Sequence, residues 1–233
     1  MEHTTNTMNR NRSKLKKKIF FRLIMALIVV GMMLFLPAGS LKYWEAWIYC
    51  GVIFVPMVFA VSYFLKTDPE LLERRMRLRE KEKKQKTIIK AANLVFFISL
   101  LIPGFDHRYQ WSNVPVALVI AANAMVFLGY LVFFFVLREN SYASRIIEVE
   151  HEQKVITTGP YAIVRHPMYS GVILMVLFTP LALGSYWALI TFLPMLPLVV
   201  FRTLNEEEVL FRELPGYKEY CQKTRYRLFP FIW

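Results

Sequence analysis

The 233 residues predict an all-α, polytopic integral membrane bundle of about six spans, and three features carry that prediction. Hydrophobic residues make up 56% of the chain and charged ones only 20%, where a soluble domain carries about a quarter charged residues. Uncharged runs long enough to cross about 30 Å of hydrocarbon recur along it. The net charge of +12 collects beside those runs, mainly in Arg10–Lys18 and Lys66–Lys90, which is the pattern of cytoplasmic loops rather than of a nucleic-acid-binding face.

The chain opens with a basic arm, residues 1–18, whose composition suits a disordered segment. Leu23–Leu41 is the first uncharged run, with Arg22 placed to snorkel to the interface. Lys14–Lys18, Ile19–Leu36 and Ala38-Gly39-Ser40 also resemble the parts of a secretory signal. The run is long enough to span, however, and later segments return to the membrane, so it is read as a first span. Ala46–Leu65 follows, opening on Trp47 and Tyr49 as interfacial anchors. Thr67–Lys86 reads as an amphipathic or solvated helix, with Asp68 as its N-cap and Pro69 at the first helical position. Ala91–Phe105 is shorter and needs Thr87–Lys90 to reach across, and Tyr109–Leu137 enters its span near Pro115.

The last run, Met168–Phe201, would be about 51 Å long as one helix, far beyond the hydrocarbon thickness. It must break, and Gly184-Ser185 at its middle, with Pro180 before and Pro194 and Pro197 after, marks where. Two antiparallel helices result. Charge supports this hairpin: with the N-terminus inside, all Lys and Arg except Arg22, Lys42 and Arg108 fall in inside segments 1–18, 66–90, 138–167 and 202–233. A single final span would strand the basic residues of the tail outside. The hairpin instead brings segment 138–167 and the tail 202–233 to one face, cytoplasmic with both termini, where they can build one site. The organisation is therefore a basic arm (1–18), N-terminal spans (19–137) with a basic loop (66–90), and a region carrying the chemistry (138–233).

Cys50 and Cys221 form no CxxC, and His3, His107, His151 and His166 are scattered without an HExxH, so no metal site is expected. The informative stretch is Gly159-Pro160-Tyr161-Ala162-Ile163-Val164-Arg165-His166-Pro167-Met168-Tyr169-Ser170-Gly171. Pro167 pushes His166 out of helical geometry and suits the first helical position, so His166 should lie at a helix N-terminus, where open backbone N–H groups favour an anion such as a carboxylate. Gly171 leaves room for a ligand or a neighbouring helix. Arg165-His166 also reads as an interfacial basic pair and Gly171 as a packing glycine. At the other end of the hairpin, Arg202 and Glu206 are i and i+4 on one helical face, followed by Glu207 and Glu208. Carboxylates beside a long apolar helix are costly unless they meet water, cations or a ligand. A molecule carrying both a carboxylate and a positive charge fits between the two ends.

This pattern, GPYAIVRHPMYSG with Glu206-Glu207 downstream, then Gly216-Tyr217, Tyr220 and Pro230, resembles the isoprenylcysteine carboxyl methyltransferase family and its phospholipid methyltransferase relatives. The resemblance covers roughly 138–233; Asp106-His107-Arg108 with Trp111, taken as a loop, and Asn140-Ser141-Tyr142 are also similar to bacterial or archaeal members. It implies a membrane enzyme that uses S-adenosylmethionine without a Rossmann domain, consistent with the lack of a GxGxxG. By the same resemblance Gln153, Val155, Ile156, Tyr161, His166, Pro167, Met168 and Tyr169 line the cofactor pocket, joined by Glu207 and Glu206. Arg202 orients the substrate, and an amine or thiol acceptor would want a base, for which His166 or a glutamate would serve. The expected acceptor is lipophilic, entering from the bilayer, foremost the carboxylate of an isoprenylcysteine-like molecule. Phospholipids or other lipids methylated at N, S or O are alternatives. Membrane sterol reductases share an RHPxY pattern, which leaves an NADPH-dependent reductase open, as does a non-catalytic lipid-binding module.

Overall fold

The computed structural model describes residues 2–77, 80 and 83–233, with side chains from residue 13 except at position 83. Among these residues the regular structure is all helical, beginning with α1 (Glu2–Ala38), α2 (Trp44–Thr67), α3 (Pro69–Arg75), α4 (Lys83–Tyr109) and α5 (Val116–Glu139). A single 3-10 turn at Gly159–Ala162 precedes α6 (Pro167–Ala182), α7 (Trp187–Phe192), α8 (Met195–Glu213) and α9 (Tyr217–Lys223). Five segments are long and apolar enough to cross a membrane: Ser13–Ala38, α2, Lys84–Tyr109, α5, and Trp187–Glu213, in which α7 and α8 follow one another across a tight turn at Leu193-Pro194. α6 is a shorter apolar helix, giving the sixth transmembrane-type segment of the bundle.

Three sequence readings change. α1 continues the first span back through the basic arm, so the segment whose composition suits disorder is helical. The solvated helix expected over Thr67–Lys86 is divided, with the short helix α3 after the end of α2 and the first turn of α4 from Lys83; Asp68 does cap α3, accepting a 3.0 Å bond from the Leu71 N–H, with Pro69 at its first position. Residues 78, 79, 81 and 82 of that stretch lie outside the described residues. Asp106-His107-Arg108 forms the last turn of α4 rather than a loop, because α4 runs on through Pro103 to Tyr109.

The hairpin that positions the site is pinned at its turn. Gly184, at φ +70°, takes the left-handed conformation that ends α6, and a Cβ there would approach the Glu45 carboxylate. Asp106, 1% exposed, accepts from the Ser112 N–H (2.7 Å) and hydroxyl (2.6 Å) and from the Ser185 hydroxyl. Tyr43 donates to Leu183 O at 2.6 Å. The turn is thus tied to α4 and to the α1–α2 connection. Around it packs an apolar core that includes Leu34, Tyr43, Ala46, Leu100, Val126 and Leu183.

α6 packs most extensively on α5, and the crossing depends on two glycines. A Cβ on Gly171 would stand 2.7 Å from Gly129 O, and a Cβ on Gly129 would stand 2.7 Å from Gly171 O. Backbones that close leave no room for even a methyl group. Gly171 is therefore filled by a neighbouring helix, not a ligand.

Candidate functional site

His166 is the N-cap of α6 and Pro167 its first residue, as the Pro-directed boundary requires. The preceding loop is held in place by the tail: Arg165 N–H donates to Tyr226 O and His166 N–H to Arg227 O, both at 2.9 Å, while the Ser170 hydroxyl donates to Leu228 O. α8 runs back beside α6, so Glu206 and Glu207 arrive next to His166.

Glu206 and Glu207 point different ways. The Glu206 carboxylate, 23% exposed, accepts from the Tyr169 hydroxyl at 2.5 Å and lies 4.0 Å from His166 Nδ1. Glu207, 4% exposed at its side chain, turns toward the tail, 3.0 Å from an Arg165 nitrogen and 2.7 Å from Arg227 Nε, with His166 Nε2 at 3.4 Å. Burial works against the Arg165 charge, but Cys221, Glu207 and Tyr217 outweigh it and raise its pKa.

Two cavities meet here. The first, a half-open cleft enclosing about 90 Å³, is lined by the 140–156 loop, the motif, α8 and α9. Of the residues singled out in the sequence, Gln153, Val155, Ile156, Tyr161, His166, Met168, Tyr169 and Glu206 line it. Pro167 and Glu207 stand behind its wall. The cleft also takes in Asn140, Glu148, Tyr217 and Tyr220. The Asn140 amide donates to the Tyr161 hydroxyl at 2.9 Å, and Tyr220 donates to Tyr161 O at 2.7 Å. Burial first of all raises the pKa of Tyr161, Tyr217 and Tyr220, so their phenols stay neutral hydrogen-bonding groups.

The second cavity, about 260 Å³, is lined by apolar groups of α4, α5, α6 and α8, including Ile88, Phe133, Val172 and Leu198, with Arg75, Arg145 and Arg202 at one side. Ile88 also lines an open groove between α4 and α8. Met168, Tyr169 and Ser144 belong to both cavities and form the partition between them.

Arg202 is fastened at every nitrogen. Its Nε donates to the Tyr169 hydroxyl (2.9 Å), Nη1 to Gln85 Oε1 (2.9 Å) and Nη2 to Arg145 O (2.8 Å). Tyr169 thus bridges Arg202 and Glu206, the i and i+4 pair of the sequence. Gln85, Arg75 and Arg145 escaped the sequence reading, because they come from the basic loops and carry no local motif. Among the described residues no group of His, Cys, Asp and Glu could hold a metal ion.

The architecture and site define a polytopic helical membrane protein with a polar cleft and an apolar cavity divided by one partition. Residues 117–214, which hold the hairpin and both glutamates, match the model of the phospholipid methyltransferase family. The fold is similar to that of the eukaryotic intramembrane Ras methyltransferase, isoprenylcysteine carboxyl methyltransferase, solved without a monobody. The match has a TM-score of 0.50 and 16% identity, over 93% of this chain and 85% of that one. At that identity the likeness is one of fold. No curated protein matches the chain. The family likeness thus covers the C-terminal part of the chain that holds the site, and the likeness to the solved structure extends over the whole helical bundle.

Proposed function

We propose that this protein transfers a methyl group from S-adenosylmethionine, held in the polar cleft, to the carboxylate of a lipophilic, isoprenylcysteine-like acceptor in the apolar cavity. The observation that carries the reading is the shared partition: a polar and an apolar site lie back to back across Met168 and Tyr169. The donor set fits an adenosyl amino acid, with Tyr161, Tyr217, Ile147, Val155 and Leu210 offering aromatic and apolar surface, Gln153 and Asn140 offering amides, and Glu206 a carboxylate for a cation. The enclosed 90 Å³ is smaller than the 300–1,000 Å³ typical of ligand pockets, so a bound cofactor would extend beyond it through the cleft's open side.

When bound, the cofactor supplies an electrophilic methyl on a sulfonium. The chain's own contribution is alignment and exclusion of water, which together lower the barrier by several kcal/mol. Arg202, fixed through Tyr169, Gln85 and Arg145 O, presents an already oriented guanidinium to the acceptor side. Glu206 holds Tyr169 from the cofactor side, so both halves of the site are set by one phenol. A carboxylate acceptor is ionised at neutral pH and needs no base.

The family match gives a second reading, a phospholipid amine as acceptor. That chemistry wants a base, and the candidates His166 and Glu206 line the polar cleft but not the apolar cavity. The geometry therefore favours the carboxylate. The loops around the cleft are basic, which supports a cytoplasmic position for them and for both termini.

Calorimetry on the purified chain in detergent tests the proposal. Binding of S-adenosylhomocysteine and none of NADPH is expected, with label from methyl-tritiated cofactor appearing in a base-labile ester of an added prenylcysteine. Binding of NADPH alone would establish reduction instead, and binding of neither would leave a lipid-binding module.

A further inference from the structure

Arg74 and Arg75 are neighbours at the end of α3, yet their surroundings differ. Arg74 has carboxylates at hand, Glu70 at 3.2 Å and Glu150 at 3.6 Å. Arg75 turns to the apolar cavity. Its Nη1 donates to Ser144 O at 3.1 Å and lies 3.6 Å from the Met168 sulfur, while the guanidinium sits 5.1 Å from the centre of the Phe133 ring. Among the described residues no carboxylate forms an ion pair with it, and its Nε and Nη2 make no hydrogen bond. The cations that bear on it, Arg145 and Arg202, repel it. Burial first, then those neighbours, push its pKa down to about 10, which leaves it fully charged at neutral pH.

A guanidinium that faces a cavity, with two cations and, among the described residues, no carboxylate beside it, is a ready site for an anionic group. Arg202 cannot swing away from Arg75, because its three nitrogens are already committed to Tyr169, Gln85 and Arg145 O. The cavity wall beside Arg75 is Met168, the partition to the polar cleft. An anionic group captured there would lie against that partition, with its apolar chain running along Ile88, Val172 and Leu198.

We propose that Arg75 is a specificity-determining residue that binds the anionic headgroup of the lipophilic acceptor and seats it beside Met168. Arg75 lies outside the segment that matches the methyltransferase family, so this selection is contributed by the N-terminal half of the chain. The proposal deepens the methyl-transfer reading and rests on it in taking the apolar cavity as the acceptor site. A guanidinium fork reads a carboxylate or a phosphate with two parallel bonds, which a lysine cannot reproduce.

The test measures equilibrium binding of N-acetyl-S-farnesylcysteine and of its methyl ester to the full chain in detergent, alongside dioleoylphosphatidic acid. The wild type should bind the free acid about tenfold tighter than the ester, the scale of one charge-assisted contact. Arg75→Gln should erase that preference, and Arg75→Lys should retain part of it. Both variants should keep the wild-type unfolding midpoint, which separates loss of recognition from loss of fold. An unchanged acid-to-ester ratio in Arg75→Gln, or no preference in the wild type for any of the anions, overturns the proposal. Dependence on Arg75 for phosphatidic acid alone would uphold the anion site while overturning the carboxylate acceptor. S-adenosylhomocysteine binding on the same samples reads the methyltransferase assignment independently of Arg75.

Discussion

Glu206 and Glu207 are adjacent in sequence and should fail in different ways when neutralised. Glu207→Gln keeps the shape of the side chain but removes the charge that faces Arg165, 8% exposed, at 3.0 Å and Arg227 at 2.7 Å. Breaking a buried ion pair by neutralising one partner costs about 3–5 kcal/mol. Arg227 is 31% exposed and regains water, so its share is small and the lower end, about 3 kcal/mol, applies. For a chain of this size each kcal/mol moves the unfolding midpoint by about 2–4 °C, which predicts a fall of about 6–12 °C. Glu206→Gln keeps an acceptor for the Tyr169 hydroxyl and loses only the charge of a partly exposed carboxylate, so the midpoint should shift by no more than about 3 °C. S-adenosylhomocysteine binding should reverse the order: Glu206→Gln weakens it at least about tenfold with the fold intact, the scale of a charged contact. Thermal unfolding in detergent and calorimetry read the two effects separately. A Glu207→Gln midpoint within about 2 °C of wild type, or a larger fall for Glu206→Gln, would refute the division of labour.

Other perturbations probe the frame. Gly171→Ala sets a Cβ 2.7 Å from Gly129 O, and overpacking of about 1–3 kcal/mol should outweigh the gain of about 1 kcal/mol in helix propensity, so the unfolding midpoint falls; a rise would mean α5 and α6 can part freely. Asp106→Ala leaves three donors at the hairpin turn unanswered and should cost about 3 kcal/mol or more in denaturation, while the surviving folded protein binds S-adenosylhomocysteine as before, the turn lying at the far end of α6 from His166. With Cys50 and Cys221 replaced, an impermeant thiol reagent should label Lys42→Cys and Arg108→Cys from one side of the membrane and Lys66→Cys and Lys223→Cys from the other. Labelling of Lys42→Cys and Lys223→Cys from the same side would contradict the hairpin.

Much of the frame was legible because lipid allows so few solutions. A run too long for the bilayer must fold back, and Gly184-Ser185 was the place where it could. His166-Pro167 fixed the start of α6 by local sterics, and Asp68-Pro69 likewise fixed α3. The extent of α3 was not legible, since a run of alternating charge suits a helix or a loop equally until tertiary contacts choose. Nor was the end of α4: Asp106 looks like a loop residue until Ser112 and Ser185 are seen to surround it.

The site was legible to the depth that local motifs reach. Residues of 153–169 share a wall because they share a short stretch of chain, whereas Gln85 meets Arg202 across more than a hundred residues and announces nothing in its own neighbourhood. The paired glutamates mark a finer limit. Successive helical residues point about 100° apart, so the two carboxylates are aimed at different neighbours. Which of the two does so depends on where the tail lies, and the tail is placed by hydrogen bonds from Arg165 and His166 to Tyr226 and Arg227 that no periodicity encodes. That placement buries Glu207 against Arg165 and Arg227 and leaves Glu206 beside the phenol that also holds Arg202. One glutamate therefore fastens the motif loop to the tail, and through Tyr169 the other links the polar cleft to the arginine of the apolar cavity.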